Sequence, residues 1–210
     1  MRYHVRHVTA AMIVLLLTAL PAAADQGTVT TAGAATLLKE TLDSILTVLL
    51  DPQLKQQDTA GRMDTVQKLF RQRFAEPTFC KRALGKHWDG LTDEKRTEFV
   101  TLFSDLLVTT YLERIDGYLT GNPAFTKNDI IYLGERTTPR YTLVKTDVKV
   151  DQATTIPVLY RMEQINDTWM VTDIAIEGIS LLKNYRAQFN EIIANAGYED
   201  LIKRLKDKKV

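Results

Sequence analysis

Apolar and polar residues alternate along two neighbouring runs of the chain, and the polar residues 166–167 separate these runs. A period of two predicts β-strands, and a short polar turn between two such runs predicts an antiparallel hairpin. A two-residue turn places Met162 opposite Val171. The same register places Val158 opposite Ala175. The predicted apolar face of this hairpin comprises Val158, Tyr160, Met162, Trp169, Val171 and Ala175.

The period changes from two to about 3.6 at Gly178, which predicts that a helix follows the hairpin directly. The apolar stripe of this helix comprises Ile179, Leu182, Tyr185, Arg186 and Phe189. A strand pair that leads straight into an amphipathic helix predicts a curved sheet with a helix across its apolar face.

Helical periodicity also dominates the chain before the strands. It predicts helices over 36–50, 63–74 and 79–88, followed by a long helix over 93–119 with Thr92 as its N-cap. The long helix carries two apolar seams, one with Phe99, Leu102 and Leu106, the other with Val100, Phe103, Leu107, Tyr111, Ile115 and Tyr118. A helix that is apolar over so wide an arc must be covered on more than one side.

Two further strands, over 130–136 and 141–150, precede the hairpin, and a last helix over 198–208 follows the helix at 179–194. The order of helices, about four antiparallel strands and then helices predicts an α+β fold.

The first 24 residues combine a basic start, an apolar run and an alanine-rich cleavage site, which together predict a secretory signal peptide. Residues 25–35 are small and polar and predict a flexible leader, which leaves 36–210 as a single domain. The 27 basic residues nearly balance the 26 acidic ones. This balance argues against a protein built to bind nucleic acid.

Few residues carry candidate chemistry. After the signal peptide only Cys80 and His87 remain of their types, which excludes a zinc site built from Cys and His, and no catalytic motif is present. Asp173 lies opposite Tyr160 in the predicted register. It is either a general base in an apolar pocket or a carboxylate bound by the tyrosine hydroxyl or by Arg186.

Two long segments, Arg73–Tyr118 and Val158–Leu205, resemble the MlaC family of toluene-tolerance proteins. The matching motifs are ALGKHW at 83–88, W-x-V-x-D from Trp169, and the IEGISL and NYRAQF sequences that follow. The resemblance implies a periplasmic phospholipid-binding protein of NTF2-like α+β fold, whose apolar cavity holds the acyl chains of a glycerophospholipid. It also implies a non-catalytic carrier that moves lipid between an outer-membrane lipoprotein complex and an inner-membrane ABC transporter with an MCE-domain ring.

On this basis we expect a monomer that binds glycerophospholipid as cargo and uses no cofactor or metal. The residues expected to line the cavity are Phe99, Phe103, Leu107, Tyr111, Val158, Tyr160, Met162, Trp169, Val171, Tyr185 and Phe189. Two alternatives stay open. One is an isomerase or dehydratase on the same fold with Asp173 as base. The other is an interaction module whose core is filled by packing between Trp169 and Phe103.

Overall fold

The computed structural model describes residues 33–57 and 59–210. The predicted signal peptide lies outside these residues, as do all but the last three residues of the predicted leader. In the described part of the chain the helices are α1 (Ala34–Leu50), α2 (Pro52–Gln57), α3 (Thr59–Arg73), α4 (Glu76–Leu84), α5 (Asp93–Gly121), α6 (Leu181–Ala196) and α7 (Tyr198–Lys206). The strands are β1 (Ile130–Thr137), β2 (Thr142–Lys149), β3 (Thr155–Ile165), β4 (Thr168–Ile176) and β5 (Ile179–Ser180).

The five strands form one antiparallel sheet in the order β1-β2-β3-β4-β5. The helices cover one face of this sheet, where Val144, Tyr160 and Met162 are buried, while Lys145 on the opposite face is exposed. This two-layer arrangement confirms the predicted α+β class. Within residues 33–57 and 59–210, no helix is both long and apolar enough to cross a membrane.

The β3–β4 hairpin closes with a two-residue turn, as predicted. Asn166 and Asp167 have φ values of 50° and 59°, which are the left-handed values that a type I′ turn requires of both central residues. Asn and Asp tolerate these values better than most residues. The pairing of Met162 with Val171 is confirmed.

A β-bulge changes the register in the second half of the hairpin. Thr172 is an extra residue on β4, so Val158 pairs with Ile176 and the predicted pairing with Ala175 is wrong. An extra residue moves every later side chain of that strand to the opposite face. Ile174 and Ile176 therefore join the inner face of the sheet in place of Ala175.

A second tight turn separates β4 from the last two helices. Glu177 and Gly178 have φ values of 51° and 80°, and Ile179 pairs with Ile176 in the short strand β5. Helix α6 therefore begins at Leu181, later than predicted. Ile179, expected on the apolar stripe of that helix, is 64% exposed.

The edges of the sheet have irregular features. On β1 the register shifts between Tyr132 and Gly134, which forms a bulge. On β4 the outer edge pairs with β5 at one end, and at the other end the amide of Ala75 donates to the carbonyl of Val171 at 2.9 Å.

Helix α5 spans two apolar clusters. The main core contains its first half, with Phe99 and Phe103 fully buried against the sheet, α4, α6 and α7. The second core contains its later half and joins it to α1 and α3 through Ile45, Leu46, Leu49, Val66, Val108, Leu112 and Leu119. The prediction that Ile115 lies on a covered apolar seam of this helix is wrong, because Ile115 is 42% exposed.

The second core also holds an ion pair. Arg62 of α3, almost fully buried, donates two hydrogen bonds to Asp116 of α5 at 2.7 and 2.9 Å. The guanidinium holds the pKa of the Asp116 carboxyl below its usual value.

A hydrogen bond fixes the start of α1 beside the sheet. The amide of Ala35, in the first turn of α1, donates to the carboxylate of Glu135 on β1 at 2.9 Å.

Candidate functional site

The interior between the sheet and the helices is a cluster of aromatic rings. The ring of Phe103 lies at its centre, with its centroid 4.8–5.9 Å from the centroids of Phe79, Phe99, Tyr185 and Phe189. These rings come from α4, α5 and α6, because each helix directs its apolar stripe toward the same face of the sheet.

All eleven residues predicted to line a cavity belong to this main core or pack against it. Nine are buried, namely Phe99, Phe103, Leu107, Val158, Tyr160, Met162, Val171, Tyr185 and Phe189. Tyr111 and Trp169 are half-buried at its margin. The structure therefore brings the predicted set together, and direct contact with a lipid stays a prediction.

An apolar cleft of about 50 Å³ opens from this core between α1, α3 and the sheet. Its lining residues are Leu38, Thr41, Leu42, Ile45, Phe70, Arg73, Phe74, Tyr160, Val171 and Ile174. Only Tyr160 and Val171 of these were predicted as lining residues. Most of the others are apolar residues at helical spacing in the two helices predicted over 36–50 and 63–74, namely Leu38, Leu42, Ile45, Phe70 and Phe74. Ile174 instead reaches this face through the bulge at Thr172.

Two polar residues, Thr41 and Arg73, belong to the otherwise apolar lining of the cleft, and we call the part that they form its rim. Thr41 and Arg73 are half-buried there, and the Arg73 side chain spans the rim. Its Nη1 donates to the carbonyl oxygen of Trp169 at 2.9 Å, and its Nε donates to the Thr41 hydroxyl at 3.2 Å. The residue thus joins the end of α3 to α1 and β4.

The cleft is small compared with ligand pockets, which usually measure about 300–1,000 Å³. A second depression, of about 250 Å³, involves the outer face of the sheet and is lined by Lys145, Pro157, Val158, Leu159, Ala175 and Gly178. The inner cleft is lined in part by residues of the main core, including Phe74, Tyr160 and Val171, so it is the better candidate for binding an apolar ligand.

Two tyrosine hydroxyls interrupt the apolar inner face of the sheet. Burial raises the pKa of Tyr160 to about 12, and the Thr146 hydroxyl offsets part of this effect. Burial also raises the pKa of Tyr132, whose hydroxyl has no hydrogen-bond partner in the described structure. Both phenols are therefore neutral at physiological pH and cannot act there as bases.

The predicted juxtaposition of Asp173 and Tyr160 is wrong, because the bulge places Asp173 opposite Arg161. The Asp173 carboxylate accepts hydrogen bonds from the Ser180 hydroxyl at 2.6 Å and from the Leu182 amide at 3.1 Å. A carboxylate with these partners serves to hold the start of α6 against β4.

A charged network ties α4 to the sheet. Arg82 donates two hydrogen bonds of 2.7 Å to Glu163, which also accepts from Arg161 at 2.8 Å and from the Thr172 hydroxyl at 3.0 Å. The Arg82 hydrogen bonds are the largest cause that lowers the pKa of Glu163 to about 2. Arg186, an expected partner of Asp173, instead donates to the Arg82 carbonyl at 2.7 Å.

The remaining candidate groups are structural. Cys80 is fully buried, as expected for a core thiol, and burial raises its pKa to about 12. His87 shares a hydrogen bond of 2.9 Å with Asn190. Among the residues that the structure describes, no three His, Cys, Asp or Glu side chains lie close enough to hold a metal ion.

The family model described as MlaC protein matches residues 39–207. The chain belongs to the MlaC family. None of the curated proteins matches it significantly. Among solved structures, the chain is similar to that of the phospholipid-binding protein from Ralstonia solanacearum, in complex with a phospholipid, with a TM-score of 0.67 and 24% sequence identity. The alignment covers 85% of this chain and 97% of that chain, and at this identity it establishes the shared fold.

The MlaC match includes the elements that form the cleft and the aromatic core, except for the first five residues of α1. Of the cleft residues only Leu38 lies outside it, one position before its start. The resemblance noted in the sequence is therefore confirmed over nearly the whole described chain.

Proposed function

We propose that this MlaC-family chain is a phospholipid carrier that works in the periplasm and moves glycerophospholipid between the outer and inner membranes. The observation that carries the proposal is the apolar main core, which contains the aromatic cluster and also supplies much of the lining of the cleft between α1, α3 and the sheet. Family membership and the phospholipid held by the structural neighbour support it.

The chemistry of the interior suits acyl chains. Each methylene that leaves water contributes about 0.8 kcal/mol, so a carrier needs a large apolar lining and few directed polar contacts. The cleft is only about 50 Å³, so it would have to widen when an acyl chain enters. The fully buried Met162 gives the lining a flexible side chain that adapts to different chains.

The proposal also includes a partner complex at each of the two membranes. An exported carrier would receive or deliver lipid at an outer-membrane lipoprotein complex and at an inner-membrane ABC transporter with an MCE-domain ring. The family resemblance supports these partners, and the predicted signal peptide supports the location. No chemical step is needed, and the hydrogen-bonded state of Asp173 argues against its use as a base.

Detergent-free purification tests the proposal. The full chain is expressed with its own N-terminus in a Gram-negative host, and the periplasmic fraction is isolated. Native mass spectrometry and solvent extraction should then show bound glycerophospholipid. Protein that is retained in the cytoplasm would refute the location. Lipid-free protein that takes up nothing from phospholipid vesicles would refute the function.

A pair of variants makes the test specific to the cleft. Leu42→Asp adds a charge to the cleft wall and should lower lipid occupancy, because a carboxylate is costly to bury beside an acyl chain. Leu133→Asp changes a residue that is 48% exposed and should leave occupancy unchanged. Equal occupancy in the two variants would place the lipid elsewhere.

A further inference from the structure

Arg73 differs from the other arginines that are at least half-buried in the described structure. Arg62, Arg82, Arg96 and Arg161 each form an ion pair with a carboxylate at 2.7–2.9 Å. Arg73 has no carboxylate partner among the described residues and contacts only the neutral oxygens of Thr41 and Trp169.

The position of this charge is also unusual, because it lies on the rim of the apolar cleft. A half-buried charge beside an apolar surface is costly unless an opposite charge compensates it. Nε and Nη1 are engaged by neutral acceptors, while Nη2 donates to none of the described residues. The guanidinium therefore retains a donor and its full charge for an anion at the cleft entrance.

An anion that suits this site must be joined to an apolar group. A phosphate diester linked to acyl chains meets this requirement, since the chains would occupy the cleft while the phosphate stays at its polar rim. Guanidinium is well matched to phosphate oxygens, to which it donates strong charge-assisted hydrogen bonds.

We infer that Arg73 binds the phosphate diester of the cargo phospholipid at the entrance of the cleft. This inference rests on the proposed carrier function and adds a specificity-determining residue to it. A purely structural role is the competing explanation, because Arg73 is the last residue of α3 and a cation stabilises a helix C-terminus.

The test compares two lipids that share their acyl chains, one with a phosphodiester head group and one without. Purified chain, freed of lipid, is titrated with phosphatidylglycerol and with diacylglycerol of the same acyl chains, and the ratio of the two affinities is measured. Hydrogen bonds to charged groups contribute about 1.5–3 kcal/mol, so the wild-type chain should prefer the phospholipid by about 10- to 100-fold. Arg73→Gln should remove at least about 10-fold of this preference, and Arg73→Lys should retain part of it.

Arg71→Gln is the matched control. Arg71 lies two residues earlier on α3, is exposed, and pairs with Asp105 at 3.1 Å. It does not line the cleft. This variant should keep the wild-type affinity ratio. The ratio is taken within one protein, so a general loss of stability affects both lipids equally; if Arg73→Gln does not fold, Arg73→Met provides the same comparison.

The outcomes separate the two proposals. A wild-type chain that binds neither lipid refutes the carrier function. A wild-type chain that binds both, with the same affinity ratio as Arg73→Gln, refutes only the role of Arg73. Glycerol 3-phosphate carries a phosphate without acyl chains and should not bind measurably. Tight binding of it that depends on Arg73 would mean a site for soluble phosphate esters and would overturn the lipid assignment.

Discussion

Replacement of Glu163 by glutamine should reveal how strongly the charged network holds α4 to the sheet. Only 15% of the Glu163 side chain is exposed, and its carboxylate accepts hydrogen bonds from Arg82, Arg161 and Thr172. Glutamine keeps the size of the side chain but removes the charge. The loss in free energy of unfolding therefore measures the charged interaction rather than packing.

The expected loss in free energy of unfolding follows from the lowered pKa of Glu163. A fall from the ordinary value of 4.5 to about 2 corresponds to about 3 kcal/mol at 1.36 kcal/mol per pH unit. Solvent screens the two arginines, which are 35% and 37% exposed, so we expect about 2 kcal/mol at neutral pH. The folded pKa lies below the unfolded one, so this stability is present above about pH 4.5 and is lost as the pH falls toward 2.

Urea unfolding of the wild-type chain and Glu163→Gln at several pH values between about 7 and 2.5 measures the difference. The two stabilities should differ by about 2 kcal/mol near neutral pH and converge in acid, because protonated Glu163 resembles glutamine. Other carboxylates titrate in both proteins and cancel. Glu98→Gln is the control: Glu98 pairs with Lys206 on the surface at 2.8 Å and should change stability by at most about 1 kcal/mol. A Glu163→Gln difference that stays constant with pH would refute this reasoning.

Three other experiments, two with variants and one with the wild-type chain, test the interior and the start of α6. Asp173→Ala should cost about 1–2 kcal/mol in urea unfolding, as loss of a helix cap does, yet leave lipid uptake intact; abolished uptake would contradict this role. The Cys80 thiol should resist a thiolate-specific reagent at about pH 8 until denaturant is added, because its pKa is raised to about 12; prompt labelling would show that the core is open. Phe103→Ala should cost about 3–5 kcal/mol without lipid and less with lipid bound, as an acyl chain fills the cavity; Ile115→Ala, at an exposed site, is its control.

Local patterns predicted most elements of this fold, though not α2 or β5, and they predicted the pairing nearest the hairpin turn. The two-residue turn and the period of two are sufficient to pair Met162 with Val171. The bulge at Thr172 has no sequence signal, because a threonine suits a regular strand as well as a bulge. Every pairing beyond it, including that of Asp173, therefore shifted by one residue.

The candidate site was predicted only in part, for a similar physical reason. Periodicity identifies the apolar face of each helix but not the element that it meets. The cleft forms where α1 and α3 meet the sheet, and this depends on the packing of segments that are more than 100 residues apart in sequence, such as Leu38 and Ile174. The rim residue Arg73 is one of many basic residues in the sequence. Its distinction, the lack of a carboxylate partner among the described residues, arises only in three dimensions.

The guarded edges of the sheet matter for the proposed carrier, which would open its apolar interior in water. An unpaired strand edge is a template for pairing between molecules and hence for aggregation. The outer edge of β4 is closed at one end by β5 and at the other by the hydrogen bond from Ala75 to Val171. At the other edge of the sheet, the bulge between Tyr132 and Gly134 makes β1 irregular. If the proposed carrier opens to admit lipid, it would therefore do so without offering a regular strand edge to a second copy of itself.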